Sequence, residues 1–307
     1  MTEAIIILTA VSIDAIFGDP RYLPHITRLT GQVILMTEWV VRKVSNNIFG
    51  GCLLTLIVIL SILGPFCVIR YNLYKVNPTW GMLLDIFVLY QSIAAKDLLV
   101  HVKAVLKPLK EANIDLARKN LSMVVGRDTA NLDENGIAKA CVETTAESLN
   151  DGIIAPLFWM VLLGGAPGAL LFRIVNTLDS MVGHRDEAYE KIGKCSARLD
   201  DILGWIPSRL CGLLISLHTK NRKWDIISSE AKKHASPNAG WPESAMAHRL
   251  DIQLGGDNHY DGILLKGPIF NPNGDNCEIE HISQSTRVIK MTYLYAIFIF
   301  IVITVFV

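Results

Sequence analysis

The 307-residue sequence lacks several features that would place it in a familiar soluble class. It has no excess of basic charge, since 29 lysines and arginines balance 29 aspartates and glutamates, and we therefore expect no nucleic-acid partner. Its six cysteines form no CxxC pair, which argues against both a disulfide framework and a zinc site. No Walker A, HExxH or GxSxG motif occurs, so the common signatures of nucleotide, metalloprotease and hydrolase sites are missing.

Charge of either sign is scarce. Charged residues make up 19% of the chain, hydrophobic residues 51%, and the mean hydropathy is +0.35, whereas soluble domains carry about 25% charged residues. This composition indicates a membrane protein with sizeable polar segments. The first twenty residues have neither a basic leading region nor a small-residue cleavage site, so we expect a retained helix rather than a cleaved signal peptide.

Apolar runs of about 20 residues are long enough for a helix to cross a bilayer. Residues 51–69 and 291–307 fit best, and weaker candidates lie at 4–17, 79–95, 152–172 and 202–218. Breaks at 164–168 and 207–209 are typical of discontinuous or re-entrant segments. The sequence therefore predicts an all-α integral membrane protein with about four to six membrane-embedded helices, one or two of them broken or re-entrant.

Polar connections at 19–47, 96–151, 173–201 and 219–290 complete this picture of a single polytopic membrane domain over 1–307. The second is expected to be helical. The fourth contains SPNAGWP, GGDN and NPNGDN, which are turn sequences, so we expect an irregular loop near the C-terminus.

A stripe of acidic side chains stands out in the second connection. On a helix from residue 137 to 151, Glu143, Glu147 and Asp151 share one face. Like charges at this spacing repel unless a cation separates them, and Mg²⁺ prefers carboxylates together with phosphate oxygens. A solvated acidic face is the alternative. The stripe runs directly into an apolar segment, which favours a functional site.

Other polar groups gather at the edges of apolar segments. Arg127, in the sequence Gly-Arg-Asp-Thr, could bind phosphate or carboxylate through two nitrogens, although a capped loop would also explain the motif. Asn176, Asp179 and Ser180 follow the broken apolar segment, and polar groups at membrane depth usually mark a site. Asp200, beside a second aspartate, fits a metal ligand or a helix terminus equally well.

Taken in order, the motifs resemble those of the adenosylcobinamide-phosphate synthase family of cobalamin biosynthesis, an integral membrane family. The matching segments are FGDP with LPH, VGRDT, ETxAE, DGIIAPLF, GGAPGA, NTLDSM, GHRDEAYE, ARLDDxL, SPNAGxPExAMA and LGG, and they cover most of residues 14–256. Three positions depart from the family pattern: Ile26 replaces a proline, Ser148 an asparagine and His184 a tyrosine. Each motif is weak by itself, whereas the ordered set is specific.

The resemblance implies an ATP- and Mg²⁺-dependent amide ligase. It would join adenosylcobyric acid to aminopropanol phosphate and give adenosylcobinamide phosphate. On this reading the catalytic residues are Glu143, Glu147 and Asp179, and the metal ligands are Glu143, Glu147, Asp151 and Asp200. Substrate-binding positions would be Asp19, His25, Arg127, Asp128, Thr129, Asn176, Ser180, Arg185, Asn238 and Glu243.

Because ATP is cytosolic, we expect a multi-pass protein of the cell membrane, in contact with lipid, whose active-site loops face the cytoplasm; a homo-oligomer is left open. Two alternatives remain. A non-catalytic corrinoid-binding protein or transporter predicts internal repeats, which the sequence lacks. A Mg²⁺-dependent membrane phosphotransferase predicts a DxxxD-type motif, and no clean example occurs.

Overall fold

The computed structural model describes residues 2–20, 22–184, 186–217, 219, 223–260 and 262–306. Packing divides the chain into two compact units. Unit 1 contains Met1–Ala94, Ala155–Gly204 and Ile297–Val307, and unit 2 contains Ala95–Ile154 and Trp205–Ala296. Since units defined by packing need not be separate domains, the single membrane domain stays a prediction.

The described chain is mainly helical, as predicted. In chain order the helices are α1 (Thr2–Phe17), α2 (Ile26–Val44), α3 (Ile48–Val76), α4 (Pro78–Ser92), α5 (Ala95–Lys110), α6 (Ile114–Leu121), α7 (Glu134–Leu149), α8 (Ala155–Leu162), α9 (Ala166–Val182), α10 (Lys194–Ser216), α11 (Trp224–Ala231), α12 (Gly240–Leu250) and α13 (Ile279–Phe306). A π-helical turn at Asn150–Ile154 joins α7 to α8. Four short strands precede α13: β1 (Leu254–Gly255), β2 (Asn258–Tyr260), β3 (Ile263–Leu265) and β4 (Ile269–Phe270).

Among the described residues, two helices, α3 and α13, are long and apolar enough to cross a membrane. With 29 and 28 residues, each extends over about 42 Å, which exceeds the bilayer core of about 30 Å. Large apolar side chains on both are exposed, including Leu60 and Val68 on α3 and Leu294 and Phe298 on α13. The two strongest predicted spans are thus helices suited to a bilayer, whereas the count of four to six stays a prediction.

Asparagine side chains set the ends of α3 and the start of α4. Asn47 Oδ1 accepts a hydrogen bond from the Gly50 N–H, and Asn77 Oδ1 accepts one from the Thr79 N–H. Such bonds satisfy amide groups that a helix N-terminus leaves unpaired, and Pro78 begins α4 without needing such a partner. The short turn at Asn77 brings α3 and α4 side by side.

The core of unit 1 is formed where α2, α3, α4 and α9 pack together. Its fully buried side chains include Ile34 of α2, Leu54 and Val58 of α3, and Ile174 and Leu178 of α9. The residues of α9 follow helical spacing, so one apolar face packs into the bundle.

The predicted break at 164–168 is present between α8 and α9. Gly164 and Gly165 have φ angles of +69° and +122°, which side chains other than glycine rarely adopt. A Cβ atom at Gly165 would also lie 2.9 Å from a nitrogen of Arg70. The turn therefore depends on glycine, and whether the segment re-enters the membrane stays a prediction.

No break occurs at 207–209, and that prediction is wrong. Helix α10 continues through Pro207. A proline lacks the N–H that would bond to the carbonyl four residues earlier, which here belongs to Leu203. The indole Nε1 of Trp159 donates to that carbonyl oxygen at 2.9 Å. This hydrogen bond replaces the missing one and allows a continuous helix.

Unit 2 contains more regular structure than the predicted irregular loop. Residues 219–290 include α11, α12 and two small antiparallel sheets. Strands β1 and β4 pair Leu254 with Phe270, and β2 and β3 pair His259 with Leu264. Helix α12 packs against α7 and α11 and is buried along most of its length. The turn sequences were recognised correctly, but the elements between them were missed.

Candidate functional site

Glu143 lies in the middle of α7 and is the most buried acidic side chain of the stripe. Its carboxylate is 2% exposed. Oε2 accepts a hydrogen bond from Arg127 Nη1 at 2.5 Å, and Oε1 accepts one from the Gly255 N–H at 2.5 Å. Both oxygens are therefore engaged, and the buried charge is compensated by a guanidinium.

Arg127 lies on the loop between α6 and α7 and is oriented by two acceptors. Its Nη1 donates to Glu143 and also to Asn258 Oδ1 at 2.9 Å. Burial by itself would lower the pKa of Arg127, but the charge of Glu143, its hydrogen bond and the charges of Tyr260 and Glu243 together outweigh burial, and the pKa is raised. Among the described residues, every hydrogen bond of this side chain leaves from Nη1. Nε and Nη2 thus remain as the two-pronged donor that suits carboxylate or phosphate.

A second glutamate, Glu243, lies in the first turns of α12 and is 7% exposed. Burial raises the pKa of this carboxyl well above its usual value, and repulsion from Glu143 and Glu147 adds to the rise. Arg127 opposes the shift only in part. Burial and the two neighbouring carboxylates thus favour the neutral form of Glu243 relative to an exposed glutamate. Glu147 lies one turn after Glu143 on the same side of α7 and is exposed.

The β2–β3 hairpin is attached to the loop that carries Arg127. The Asp128 N–H donates to the His259 carbonyl at 2.9 Å, and Asp128 Oδ2 accepts from the Gly262 N–H at 2.8 Å. Thr129 Oγ1 donates to the Arg118 carbonyl at 3.2 Å. Within the Gly-Arg-Asp-Thr motif, the Arg127 side chain binds the Glu143 carboxylate. The Asp128 and Thr129 side chains hold the loop and hairpin in place.

Tyr260 brings a phenol to the same cluster. Burial raises its pKa above the ordinary tyrosine value, and the positive charge of Arg127 opposes part of that shift. Neighbouring glutamates, Glu147 first among them, raise it further. We call Arg127, Glu143, Glu147, Glu243 and Tyr260 the carboxylate cluster; all five belong to unit 2.

The π-helical turn lies where the acidic stripe meets the apolar segment. Within it, Asn150 Nδ2 donates to Asp151 Oδ1 at 2.7 Å, and Asn150 is 2% exposed. Single π-turns inside helices are frequent at functional sites. Asp151, the third member of the predicted acidic stripe, thus lies in this π-turn and not in α7.

Asn238 holds the turn before α12. The hydroxyl of Ser208 donates to Asn238 Oδ1 at 3.4 Å, and the backbone N–H of Asn238 donates to Ser236 Oγ at 3.2 Å. These contacts lie in the turn that leads into α12, the helix that carries Glu243. A direct substrate contact of Asn238 stays a prediction.

The remaining predicted residues that the structure describes belong to unit 1. His25 Nε2 lies 3.3 Å from Asp19 Oδ1, and His25 Nδ1 accepts from the Thr27 N–H, which caps α2. Asn176 Nδ2 donates to Asp200 Oδ1 at 3.4 Å.

Two neighbours on α9 have backbone contacts. Ser180 Oγ donates to the carbonyl of Asn176, and the Asp179 carbonyl accepts from the Gly183 N–H at 2.7 Å. Arg185 lies outside the described residues. Unit 1 thus brings Asp19 to His25 and Asn176 to Asp200, and roles for these residues in a shared site stay predictions.

The described residues do not form a ready metal site. No group of three or more His, Cys, Asp or Glu side chains within the described ranges could hold a metal ion. Both oxygens of Glu143 are hydrogen-bonded within unit 2. The magnesium ligands Glu143, Glu147, Asp151 and Asp200 stay a prediction.

Sequence reasoning missed Gly255, Asn258, Tyr260 and Lys139. Gly255 is part of the LGG motif, but nothing local indicated that its N–H binds Glu143 across 112 residues. Lys139, one turn before Glu143, donates from Nζ to the Gly255 carbonyl at 2.7 Å. The four-residue spacing between Lys139 and Glu143 is visible in the sequence. The sequence does not show that both side chains bind the backbone of Gly255.

Comparison with known proteins agrees with this architecture. The family model described as "CobD/Cbib protein" matches residues 7–289. A relative from Halalkalibacterium halodurans, "Cobalamin biosynthesis protein CobD", is 38% identical over an alignment of 308 positions that covers 97% of this chain and 96% of the relative. A protein of the same name from Geobacter metallireducens is 41% identical over 276 residues, with 87% and 86% covered. No solved structure matches.

Helices suited to a bilayer and a buried carboxylate–arginine cluster define a helical protein of the membrane type with an ionisable polar site. The extent of the match identifies it further. The chain belongs to the CobD/Cbib protein family and has a role in cobalamin biosynthesis. The resemblance noted from the ordered motifs is thereby confirmed at the level of family.

Proposed function

We propose that this protein is an ATP-dependent amide ligase that joins adenosylcobyric acid to aminopropanol phosphate. The observation that carries the proposal is Arg127, held by Glu143 and Asn258 through one nitrogen, with Nε and Nη2 remaining for an anion. Ligation requires a carboxylate to be held and activated beside an amine. An oriented guanidinium next to ionisable carboxyls suits that requirement.

Arg127 would bind the free propionate of the corrinoid or the phosphoryl group that activates it. The activation transfers the γ-phosphoryl group of ATP to a carboxylate oxygen and releases ADP. The amine nitrogen then attacks the acyl carbon, the carbon–oxygen bond to phosphate breaks, and phosphate leaves. Negative charge builds up on phosphate and carbonyl oxygens in both steps, and a fixed guanidinium stabilises it.

Two glutamates would manage protons. The amine must lose a proton in order to attack, and Glu147 is the exposed carboxylate of the cluster. Glu243 is buried and favoured in its protonated form because its pKa is raised. A neutral Glu243 lowers the repulsion that an incoming anionic substrate would otherwise meet and can donate a hydrogen bond to it.

The β2–β3 hairpin would supply the apolar wall that a corrinoid needs. Ile263, Leu264 and Leu265 of β3 are 65%, 49% and 53% exposed. The opposite strand carries Asn258, which binds Arg127. A substrate with an apolar ring and a carboxylate at its edge could contact β3 and Arg127 together.

The decisive experiment is an assay of detergent-purified protein with adenosylcobyric acid, aminopropanol phosphate, ATP and magnesium, each omitted in turn. We expect adenosylcobinamide phosphate and ADP only when all substrates are present. Arg127→Lys keeps the charge and loses the planar fork, so turnover should fall by about 100-fold. Arg42→Lys, at a pair with Glu38 in unit 1, is the matched control. Complete activity without ATP would refute the proposal.

We also propose that the polar segments of unit 2 face the cytoplasm, where ATP is available. Lys110 and Asn135 are exposed positions on different segments. Single cysteines at these positions, in a background without Cys52 and Cys67, should react with an impermeant thiol reagent only in inverted vesicles. Labelling of either position in intact cells contradicts this orientation.

A further inference from the structure

A cavity of about 350 Å³ lies beside the carboxylate cluster in unit 2. Its walls come from the first turn of α7, from the β1 and β4 strands, and from the segment before α13. The volume falls at the lower end of the range of small-molecule sites. None of the catalytic, substrate-binding or metal-binding residues predicted from the sequence lines this cavity.

The lining is mostly polar. It contains the amides of Asn135, Gln253 and Asn276 and the ammonium group of Lys139, with Leu254 and Ile269 as the large aliphatic side chains. Asp133 is the other charged group of the lining, and its Oδ1 is engaged as the helix cap, accepting from the Gly136 N–H at 2.7 Å. Lys139 is thus the lining cation that a bound anion would meet.

Lys139 has donors to spare. Its Nζ makes one hydrogen bond among the described residues, to the Gly255 carbonyl at 2.7 Å, and an ammonium group has three N–H donors. The backbone next to it is open: a Cβ atom added at Gly256 would find Lys139 Nζ at 3.8 Å as its nearest neighbour. A ligand can therefore approach both the ammonium group and the main chain.

One peptide links the cavity to the carboxylate cluster. The Gly255 carbonyl accepts from Lys139, and the Gly255 N–H donates to Glu143. A side chain at Gly255 is excluded, because its Cβ would lie 2.1 Å from the Pro268 carbonyl oxygen and its φ is +75°. A ligand that draws Lys139 away from the Gly255 carbonyl would therefore act on the Gly255 N–H, which binds Glu143. Glu143 in turn orients Arg127.

We propose that this cavity binds the phosphate group of a phosphorylated co-substrate, with Lys139 as its main contact and the surrounding amides as secondary contacts. The inference rests on the proposed function for the identity of the ligand. ATP and aminopropanol phosphate share this chemistry, and the phosphate of either one is a candidate. Binding at the cavity would bring a co-substrate next to the cluster that holds the carboxylate.

The test is isothermal titration of the full-length protein in detergent with three probes: magnesium-ATP, aminopropanol phosphate and inorganic phosphate. Two variants probe the cavity independently. Lys139→Gln removes the cation, and Asn276→Trp fills the space from an exposed position. Loss of a charge-assisted hydrogen bond should weaken binding by about tenfold or more. Lys139→Arg should restore most of the affinity.

The control is Lys110→Gln, which removes an exposed lysine on α5 and should leave every affinity unchanged. Weakening of ATP alone assigns the site to the nucleotide, and weakening of aminopropanol phosphate alone assigns it to the amine substrate. Unchanged binding of all probes in both cavity variants, or no binding to the wild type, overturns the proposal. Amide formation by wild type is scored separately, so binding without ligation rejects the function and keeps the site.

Discussion

Among the described residues, Arg70–Asp85 in unit 1 and Arg127–Glu143 in unit 2 each hold an almost fully buried carboxylate, and the two pairs differ in which nitrogens of the arginine they occupy. In unit 1, Arg70 uses Nε and Nη2 on Asp85, whose carboxylate is 0% exposed and also accepts from the Tyr74 hydroxyl at 2.8 Å. In unit 2, Arg127 uses Nη1 alone on Glu143. Asp85 thus occupies the Nε and Nη2 donors of Arg70. In Arg127 these two nitrogens make no hydrogen bond among the described residues.

Under the proposed function, this difference separates a structural pair from the pair that binds substrate. The Arg70 pair connects α3 to α4 within apolar helices and packs against Gly165, so its charges satisfy each other. Beside the Arg127 pair lies a further carboxyl, Glu243, and the charges of Glu143 and Glu147 are close enough to raise its pKa. Burial alone is therefore a poor guide to function, since both carboxylates are almost fully buried.

The largest effect should come from removing either arginine. Arg127→Met and Arg70→Met each leave a buried carboxylate without its partner, which we expect to cost about 3–5 kcal/mol of folding free energy. Activity per folded molecule should then separate them: it falls by about 1,000-fold in Arg127→Met and stays near wild type in Arg70→Met. Thermal unfolding in detergent and turnover of the folded fraction measure this. Equal turnover in both variants would erase the distinction.

Glu243→Gln tests the raised pKa of Glu243. Turnover should stay within about tenfold of wild type, because glutamine is also neutral and offers an N–H donor in place of the carboxyl O–H. The folded-state pKa of Glu243 is raised, so wild-type stability falls as pH rises from the unfolded pKa through the folded pKa. The variant cannot ionise and should lack that decline. Melting temperatures between pH 4 and 9 check it, with the exposed Glu111→Gln as control.

Trp159→Phe tests the continuity of α10 in unit 1. It leaves the Leu203 carbonyl without the indole donor, at an expected cost of about 1–3 kcal/mol. Turnover of the folded protein should not change, because the carboxylate cluster belongs to unit 2. The exposed Trp80→Phe provides the comparison. A loss of turnover without a loss of stability would be the opposite of this expectation.

Asp128→Ala should have the smallest effect on folding. It removes one hydrogen bond to the hairpin, worth about 0.5–1.5 kcal/mol. Because the hairpin carries Asn258, we expect the effect in unit 2 to appear as a raised KM for the corrinoid with kcat nearly unchanged. Steady-state kinetics measure the two constants. Asp115→Ala, whose side chain is 94% exposed, should change neither.

Much of the fold could be predicted from local pattern. The two strongest apolar runs lie in α3 and α13, and the Gly-Gly turn before α9 followed from residues that need unusual φ angles. The predicted break at Pro207 was wrong because Trp159 supplies the missing donor. Trp159 lies 44 residues from Leu203, whose carbonyl oxygen it binds. A helix-breaking residue is recognised in the sequence from its local context, whereas its effect on the helix depends on residues that are close in space.

The candidate site divides in the same way. Helical spacing placed Glu143 and Glu147 on one helix, and the motif made Arg127 a candidate anion ligand. Their pairing, the approach of Glu243 on α12 and the hairpin with Asn258 could not be read from spacing, since Arg127 and Asn258 are 131 residues apart. The metal role of Glu143 stays a prediction from the acidic stripe, and the two hydrogen bonds to its oxygens could not be foreseen from the sequence.

The sequence by itself determined the helical class, the apolar segments and the family, because these depend on periodicity, composition and ordered motifs. Only the tertiary structure decided which carboxylate pairs with an arginine, which carboxyl has its pKa raised by burial and which peptide connects the cluster to a neighbouring cavity. The reason is physical: a pKa and a hydrogen bond depend on burial and on charges within a few ångströms, and here those neighbours come from segments more than one hundred residues apart.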